Sequence, residues 1–316
     1  MAFTQNTPPI PEKFANRPLP VRTRGYQWLG TWPLVVVHLA CLGALFTGAT
    51  WQDWAMCAFL YFARMFAVTG AYHRYFSHRT FKTSRWFQFV LAFWAQTSSQ
   101  RGALWWAAHH RDHHKFSDTP WDVHSPVRKG FWYSHIGWIY DHNEDTNYNR
   151  VRDLSKYPEL VWLNKYWLVP PVALGIVVAA TMGLSGLLVG FLLSTVLLWH
   201  GTFTINSLAH VWGSRRYDTT DTSRNNFWLA LLTMGEGWHN NHHHHMMSTR
   251  QGFYWWEIDI TYYILKAMSW VGLVWDLRPP PASAYAAENQ IHGAGSAEPA
   301  DAVAAVAPEV EVQPAA

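Results

Sequence analysis

The sequence predicts an all-helical integral membrane protein with four transmembrane helices and a cytosolic helical cap. Three observations lead to this fold class. Charged residues make up only 14% of the 316 residues, whereas an average soluble domain has roughly 25%. Residues 166–214 form a stretch of 49 residues without a formal charge. The 18 histidines are also unevenly placed, and three groups of them lie beyond the ends of the apolar stretches.

The first two predicted spans cover residues 30–50 and 54–72. No Asp, Glu, Lys or Arg occurs from Gly25 to Gln52, which leaves room for the roughly 20 residues that a helix needs to cross a bilayer. The second apolar run extends from Trp54 to Tyr72 and is interrupted only by Arg64. A charge at this depth is a functional candidate, although pairing with a polar neighbour or snorkelling is the plainer interpretation.

The third and fourth predicted spans cover residues 166–184 and 186–212. The segment Gly183-Leu-Ser-Gly186 supplies a turn between them. Residues 86–94 and 227–232 are apolar but too short to span. Residues 253–277 are long enough, yet they combine several charges with many Trp and Tyr. These three pieces are predicted to lie flat in the membrane interface.

The domain organisation and orientation follow from composition. Residues 1–278 are predicted to form one membrane domain, whose cap consists of residues 73–165 and 213–278. Residues 279–316 are rich in Ala, Pro and Glu and are predicted to be a disordered tail. Lys and Arg precede the first span, recur in 73–165 and follow the fourth span, whereas the connections 51–53 and 183–186 have none. Both termini and the cap are therefore expected on the cytoplasmic side.

Other function classes are excluded or disfavoured by composition. Two cysteines, Cys41 and Cys57, cannot form a secreted disulfide framework and are predicted to be small buried hydrophobes. A net charge of +3 is too weak to indicate a nucleic-acid partner. The proline-rich first twenty residues lack a basic start followed by an apolar core, so no cleaved signal peptide is expected.

Three histidine groups have spacings suited to metal binding, and the last two share the spacing H-x-x-H-H. They are His73-x4-His78, His110-x-x-His113-His114 and His239-x-x-His242-His243. Positions i, i+3 and i+4 lie on one helix face, so each H-x-x-H-H group is expected to direct its imidazoles toward a common volume. Residues i and i+5 lie about 140° apart on an ideal helix, which predicts a bend or helix end before His78. An even number of predicted spans separates the groups, so all three lie on one side of the membrane.

The fourth span adds Asn206 and His210, which share a face near its cytoplasmic end. With His210 the groups provide nine candidate imidazole ligands. A single zinc needs about four protein ligands, so nine ligands suit two metals, and imidazole by itself does not select the metal. The remaining histidines are expected to have plainer roles. His38, His200 and His292 are interpreted as isolated, His244 and His245 as flanking, and His109, His124, His135 and His142 as surface or supporting residues.

These motifs, in this order and between these spans, resemble the integral-membrane fatty acid desaturases, specifically the acyl-CoA Δ9-desaturase-like (stearoyl-CoA desaturase-like) branch. The resemblance covers about Trp32 to Asp276 and rests on five motifs. They are Ala71-Tyr-His-Arg-Tyr-Phe-Ser-His-Arg79, His110-Arg-Asp-His-His-Lys-Phe-Ser-Asp118, Gly130-Phe-Trp-Tyr-Ser-His-Ile-Gly-Trp138, Asn206-Ser-Leu-Ala-His210 and Gly235-Glu-Gly-Trp-His-Asn-Asn-His-His243.

The resemblance implies a cytosolic cap that holds two iron ions (Fe2+). One iron would be bound by His73, His78, His110, His114 and His242. The other would be bound by His113, His210, His239 and His243, with Asn206 holding a water beside it. The implied reaction uses O2 and two electrons from a separate donor of cytochrome b5, ferredoxin or rubredoxin type. It introduces a cis double bond, at Δ9, into a saturated acyl chain within the membrane lipid environment.

Several alternatives stay open at this point. Animal acyl-CoA members of the family carry an Arg-Asp pair where this chain has Ala108-His109, so CoA, acyl carrier protein and a glycerolipid all stay open as the acyl carrier. A membrane di-iron hydroxylase or ketolase is a related possibility, and a metal carrier or sensor using residues 242–245 is an unrelated one. A soluble carboxylate di-iron protein needs two Glu-x-x-His motifs, and the sequence has only Glu236 to His239. The sequence does not give chain length, donor identity or oligomeric state.

Overall fold

The computed structural model describes residues 8–14, 17, 28–141 and 145–291, and most of these residues are helical. The α-helices are α1 (Trp28–Ala40), α2 (Trp51–Phe66), α3 (Arg85–Gln96), α4 (Ala103–Phe116), α5 (Pro126–Lys129), α6 (Phe131–His135), α7 (Arg152–Ser155), α8 (Pro158–Lys165), α9 (Val169–Ser185), α10 (Ser194–Asn206), α11 (Phe227–Leu232), α12 (His239–His244) and α13 (Ile260–Trp270). A first π-helix, Ala67–Ser77, directly follows α2, and a second π-helix, Gly186–Leu193, directly precedes α10. Short 3-10 helices occur at Glu12–Phe14, Cys41–Phe46, Gly137–Tyr140, Tyr148–Arg150, Leu208–His210, Ala282–Tyr285 and Ala287–Asn289.

Two helical stretches are long and apolar enough to cross a membrane. They are Trp51–Ser77, with 27 residues, and Val169–His210, with 42 residues. The apolar helix Trp32–Phe46 is shorter and precedes them. The first long stretch begins at a capping box, in which the Thr50 N–H donates to the Asp53 carboxylate at 2.8 Å. It continues beyond the predicted end at residue 72 because the π-helix extends α2 to Ser77.

The second long stretch is folded back on itself at Gly183. This residue has φ +69° and ψ −162°, a conformation that interrupts the helix and that residues with a Cβ rarely adopt. The two arms then pack closely: a Cβ added at Gly175 would lie 3.1 Å from the Phe191 ring. Leu60 and Val178 complete an apolar cluster with Phe191. The turn therefore lies within residues 183–186, where the sequence predicts it, and it divides this stretch into two antiparallel arms.

The cap is built around the end of the first long stretch. The largest apolar core joins buried residues of the Ala67–Ser77 π-helix with residues of α3, α4, α8 and α13. The strands β1 (Lys82–Thr83) and β2 (Val274–Trp275) pair antiparallel, with Lys82 opposite Trp275 and Thr83 opposite Val274. This pairing ties the segment that follows the π-helix to the segment that follows α13.

The segments predicted to lie in the membrane interface are only partly helical. Residues Arg85–Gln96, Phe227–Leu232 and Ile260–Trp270 form helices and carry the exposed residues Trp86, Trp228 and Trp270. Residues 253–259, in contrast, form no helix, and the carboxylates of Glu257 and Asp259 are buried inside the cap. Within 253–277 the helix is Ile260–Trp270, and the acids of residues 253–259 bind Arg216 and Arg74 of the cap.

The chain after residue 278 differs from the predicted tail in its first part. Residues 279–291 follow the surface of the cap and include two 3-10 turns. Ala284 is fully buried in a small cluster with Tyr217, Phe253 and Tyr254, and the Tyr217 hydroxyl donates to the Ala284 carbonyl at 2.6 Å. The aromatic rings supply the contact surface that the composition of residues 279–291 does not reveal. Residues 292–316 lie outside the described residues.

Candidate metal centre

Three helical elements carry eight of the nine candidate ligands. The π-helix after α2 carries His73, with His78 at its C-terminal end, and the His78 N–H donates to the His73 carbonyl at 3.2 Å. This i to i+5 hydrogen bond is the defining bond of a π-helix. It brings the two rings to 4.9 Å between centroids. His78 lies just past a helix end, as the spacing predicts, because the π-helix ends at Ser77. The wider π-turn places positions i and i+5 side by side.

The first cluster contains five histidines whose ring nitrogens converge. It consists of His73, His78, His110, His114 and His242, and one ring nitrogen of each lies within 4.8 Å of the others. His242 Nε2 lies 2.9 Å from His73 Nε2 and 2.9 Å from His114 Nε2. His110 Nε2 and His78 Nε2 are also 2.9 Å apart.

The second cluster contains four histidines. It consists of His113, His210, His239 and His243, again with one ring nitrogen each within 4.8 Å of the others. His210 follows α10 in a 3-10 turn, and its Nε2 lies 3.1 Å from His239 Nε2. The two clusters adjoin, since the ring centroids of His114 and His243 are 4.4 Å apart.

The two H-x-x-H-H motifs divide their ligands between the clusters in opposite ways. On α4, the i and i+4 residues His110 and His114 enter the first cluster, and His113 enters the second. On α12, the i and i+4 residues enter the second cluster, and only the i+3 residue, His242, enters the first. The spacing alone predicts that the three imidazoles of one motif share a common volume. This prediction is wrong, because each motif divides its imidazoles between the two clusters. Each helix instead lies between the two clusters and contributes to both.

Buried carboxylates hold the outer nitrogen of four of these rings. His243 Nδ1 lies 2.7 Å from Asp221 Oδ2, and His113 Nδ1 lies 3.1 Å from Asp122 Oδ1. His210 Nδ1 faces Asp118 at 3.3 Å, and His73 Nδ1 pairs with Glu236. All four acids are buried. A carboxylate at Nδ1 fixes the ring orientation and leaves Nε2 free for a metal.

Sequence reasoning missed these carboxylates. In the sequence, Glu236 stands out only as half of a Glu-x-x-His motif and Asp118 only as the last residue of the second motif, while Asp122 is not singled out by any motif. One signal was present: two acids within eight residues of the His113-His114 pair, in a chain with few charges. Asp221 has no such signal, because the fold alone brings it to His243.

A further layer of charge surrounds the first cluster. Arg74 is buried and forms ion pairs with Glu236 at 3.2 Å and with Asp259 at 3.0 Å. Gln251 donates to Glu236 at 3.1 Å, and its backbone N–H donates to Asp259 at 2.7 Å. This network holds the carboxylate that in turn orients the His73 ring.

Burial keeps most of the clustered rings neutral. Loss of solvent, reinforced by neighbouring imidazoles, lowers the pKa of five rings well below the usual value for histidine. They are His78, His110, His114, His239 and His242. Burial alone would raise the pKa of the Asp221 carboxyl, but contact with His243 prevails and holds it well below its ordinary range. Neutral imidazole is the form that binds a metal.

These donors fit two transition-metal ions. Two nitrogens that each lie about 2.1 Å from an ion, at a right angle, are about 3 Å apart, which matches the spacing of the closest ring pairs. The Nε2 of His243 is buried and has no hydrogen-bond partner among the described residues. An unsatisfied buried nitrogen of this kind calls for a ligand. The all-nitrogen donor set suits iron, copper, nickel or zinc rather than calcium or magnesium.

A cavity of about 250 Å³ lies against the first cluster. In the cap it is lined by His109, His124 and several tryptophans. His110 and Asn206 also line it, as do apolar residues of α1, α10 and the second π-helix. A smaller cavity of about 50 Å³ lies between the clusters, against His73, His110, His239, Asn206 and Glu236. An apolar chain bound in the larger cavity would pass directly beside both His110 and Asn206.

Three histidines outside the clusters form a hydrogen-bonded series. His38 Nε2 and His200 Nε2 are 3.0 Å apart, as are His200 Nδ1 and His135 Nε2. His135 Nδ1 lies 3.0 Å from Ser207 Oγ, and His38 Nδ1 donates to the Leu34 carbonyl at 2.7 Å. The interpretation of His38 and His200 as isolated residues is therefore wrong. Their rings join α1, α10 and α6 beside the cavity.

The other histidines lie outside both clusters. His109 and His124 line the cavity, and the His124 ring lies 4.4 Å from the His113 ring. His244 and His245 follow the last ligand of α12, and their rings pack against Tyr217. Two further histidines, His142 and His292, lie outside the described residues.

Comparisons with known proteins place these features in a family. The fatty acid desaturase family model matches residues 49–270, a range that contains all nine clustered histidines. Similar proteins include palmitoyl-monogalactosyldiacylglycerol delta-7 desaturase of Arabidopsis thaliana, which is 36% identical over 77% of this chain and 67% of its own length.

In two further relatives the match covers a larger share of the relative's own length. Acyl-CoA 5-desaturase of Anemone leveillei is 34% identical over 85% of this chain and 88% of the relative. sn-2 palmitoyl-lipid 9-desaturase of Nostoc sp. (strain 36) is 34% identical over 78% of this chain and 88% of the relative. The chain therefore belongs to the fatty acid desaturase family, and it is an oxidoreductase that acts on fatty acyl chains.

Proposed function

We propose that this chain is an O2-dependent desaturase that introduces a cis double bond, at Δ9, into a saturated acyl chain at a di-iron centre. One observation carries the proposal: nine imidazoles form adjoining clusters of five and four beside an elongated cavity. Iron in the first cluster would be held by His73, His78, His110, His114 and His242. Iron in the second would be held by His113, His210, His239 and His243.

The bound irons, with O2 and two electrons from a donor, would supply the oxidant for removing hydrogens from an unactivated methylene. The protein residues fix where that oxidant acts. The cavity wall holds the acyl chain in one orientation, so that the methylene beside His110 and Asn206 is the nearest target. Asn206 lines both cavities, and in this proposal its side chain would hold a water beside the second iron.

The same proposal includes a four-span topology with both termini and the cap in the cytoplasm. The two long apolar stretches, the fold-back at Gly183 and the shorter helix Trp32–Phe46 supply four apolar segments. An even number of crossings puts His73, His110 and His239 on one side, which agrees with their convergence. One membrane domain would extend to residue 278.

The acyl carrier and the electron donor also belong to the proposal. The relatives are named for lipid-linked and for CoA-linked acyl groups and for positions 5, 7 and 9. Their names therefore support a fatty acyl substrate on CoA or on a glycerolipid, and acyl carrier protein is retained as the third carrier that the sequence leaves open. The electrons would come from a separate protein of cytochrome b5, ferredoxin or rubredoxin type, which the basic cytoplasmic face would attract electrostatically.

The test is expression in a host that supplies compatible donors. Wild-type protein is expected to raise cis-monounsaturated acyl chains, and His110→Ala to give host-level values at equal membrane content. Gas chromatography with double-bond location decides the regiochemistry. Hydroxylated or ketone products in place of unsaturated ones would contradict the proposal and favour the hydroxylase alternative. Bound metal with no change in any acyl chain would favour a metal carrier or sensor.

A further inference from the structure

Arg64 is a buried cation for which the proposed chemistry has no use. It lies on α2 in the first long apolar stretch and is only 1% exposed. Among the described residues, no carboxylate forms an ion pair with it. A charged side chain at this depth is costly to bury and is usually retained for a function.

Neutral oxygens satisfy the guanidinium instead. They belong to α2 itself, to the loop after α3 and to the region where the second π-helix meets α10. The acceptors are the Leu60 carbonyl at 3.0 Å, the Thr97 carbonyl at 3.3 Å, Thr195 Oγ1 at 2.7 Å, Ser194 Oγ at 2.5 Å and the Phe191 carbonyl at 3.5 Å. A planar group with five fixed donors holds such acceptors in one relative geometry. Arg64 therefore braces three separate segments at one point.

The braced residues line the part of the 250 Å³ cavity that is farthest from Asn206 along α10, which we call its inner end. Phe191, Leu192 and Thr195 line it there, and Arg64 lies behind them, with its Cζ 5.2 Å from the centre of the Phe191 ring. Thr195 precedes Asn206 by eleven positions, which corresponds to about 16 Å along a helix. The part of an acyl chain beyond the clusters would therefore end near the residues that Arg64 holds.

We propose that Arg64 is a positioning residue that fixes the inner end of the cavity and thereby sets the length of the acyl chain accepted. The inference rests on the proposed function for its substrate. Packed interiors transmit small displacements, so release of Ser194 and Thr195 would change the space available to the terminal methyl group. A site that fits one acyl chain can favour it by about tenfold over a chain that is one methylene longer or shorter.

Two variants test this role, and a third is a control. Arg64→Met removes the guanidinium donors. Thr195→Val removes one of the acceptors, but it keeps the size of side chain 195 and the charge of Arg64. Phe66→Leu changes a buried residue of the same helix that lines neither cavity and forms none of the Arg64 hydrogen bonds. Saturated chains that differ by two carbons are supplied to cells as a mixture, and the ratio of unsaturated products is measured. The purified protein in lipid vesicles is also heated with each free saturated fatty acid, because a bound ligand raises the melting temperature.

Wild type and Phe66→Leu are expected to prefer one chain length in both measurements. Arg64→Met is expected to reduce that preference by about tenfold, and Thr195→Val to reduce it in the same direction. Unchanged length ratios in both variants, even with lower total output, would show that Arg64 only supports the fold and would overturn the inference. If wild type makes no unsaturated product, the proposed function fails. The length dependence of the thermal shift still decides the role of Arg64.

Discussion

Replacement of His243 by alanine is expected to abolish desaturation while the protein remains in the membrane. His243 is buried and oriented by Asp221, and its Nε2 has no other partner among the described residues. Removal of the ring leaves the second cluster with three nitrogens. The loss should exceed the roughly 10- to 100-fold that follows from removing an outer partner of a ligand.

The neighbouring residue provides the control for this experiment. His244→Ala removes an imidazole from the same histidine run, but this ring stacks on Tyr217 at 4.3 Å and belongs to neither cluster. Membrane content is measured by immunoblot and unsaturated product by gas chromatography. If His243→Ala and His244→Ala lose activity to the same extent, the run acts as a whole and the assignment of ligands is wrong.

Asp221→Asn is expected to weaken iron binding at the second cluster by about 10- to 100-fold. The carboxylate accepts from His243 Nδ1 at 2.7 Å and is buried, so its negative charge makes the ring a better donor at Nε2. Asparagine keeps the shape and loses the charge. Competition with a graded series of iron chelators measures the change directly, and the rate of desaturation should fall in parallel.

Asp218→Asn is the matched control, since the Asp218 side chain is 90% exposed and faces only Arg215 at 3.7 Å. It removes one negative charge three residues away without contact to a ligand. Equal chelator resistance of the Asp221 and Asp218 variants would show that the carboxylate does not tune the metal ligand.

The apolar segments and the grouping of histidines could be predicted from the sequence because both depend on local spacing. Uncharged runs reveal the long helices, and the Gly183 turn follows from its composition. The resemblance named the same nine histidines that the structure gathers into two clusters. Their role as iron ligands stays a prediction. The π-helix at His73 was not predicted, because i to i+5 bonding leaves no distinct residue pattern.

Features that depend on distant contacts could not be predicted. Asp221 reaches His243 across 22 positions, and His38 meets His200 across 162. Neither pair has a sequence signature, since a single polar residue in an apolar run is compatible with many partners. Residues 279–291 were misjudged for a related reason: aromatic side chains elsewhere in the cap supply their packing surface.

The central claim is that each histidine cluster holds one iron. Elemental analysis of purified protein, loaded with Fe2+ without oxygen, tests it most directly. Wild type is expected to contain about two irons per chain, and His242→Ala and His243→Ala about one each, because each variant removes a ligand from a single cluster. A wild-type protein that binds a single iron, or variants that both retain two, would contradict the account.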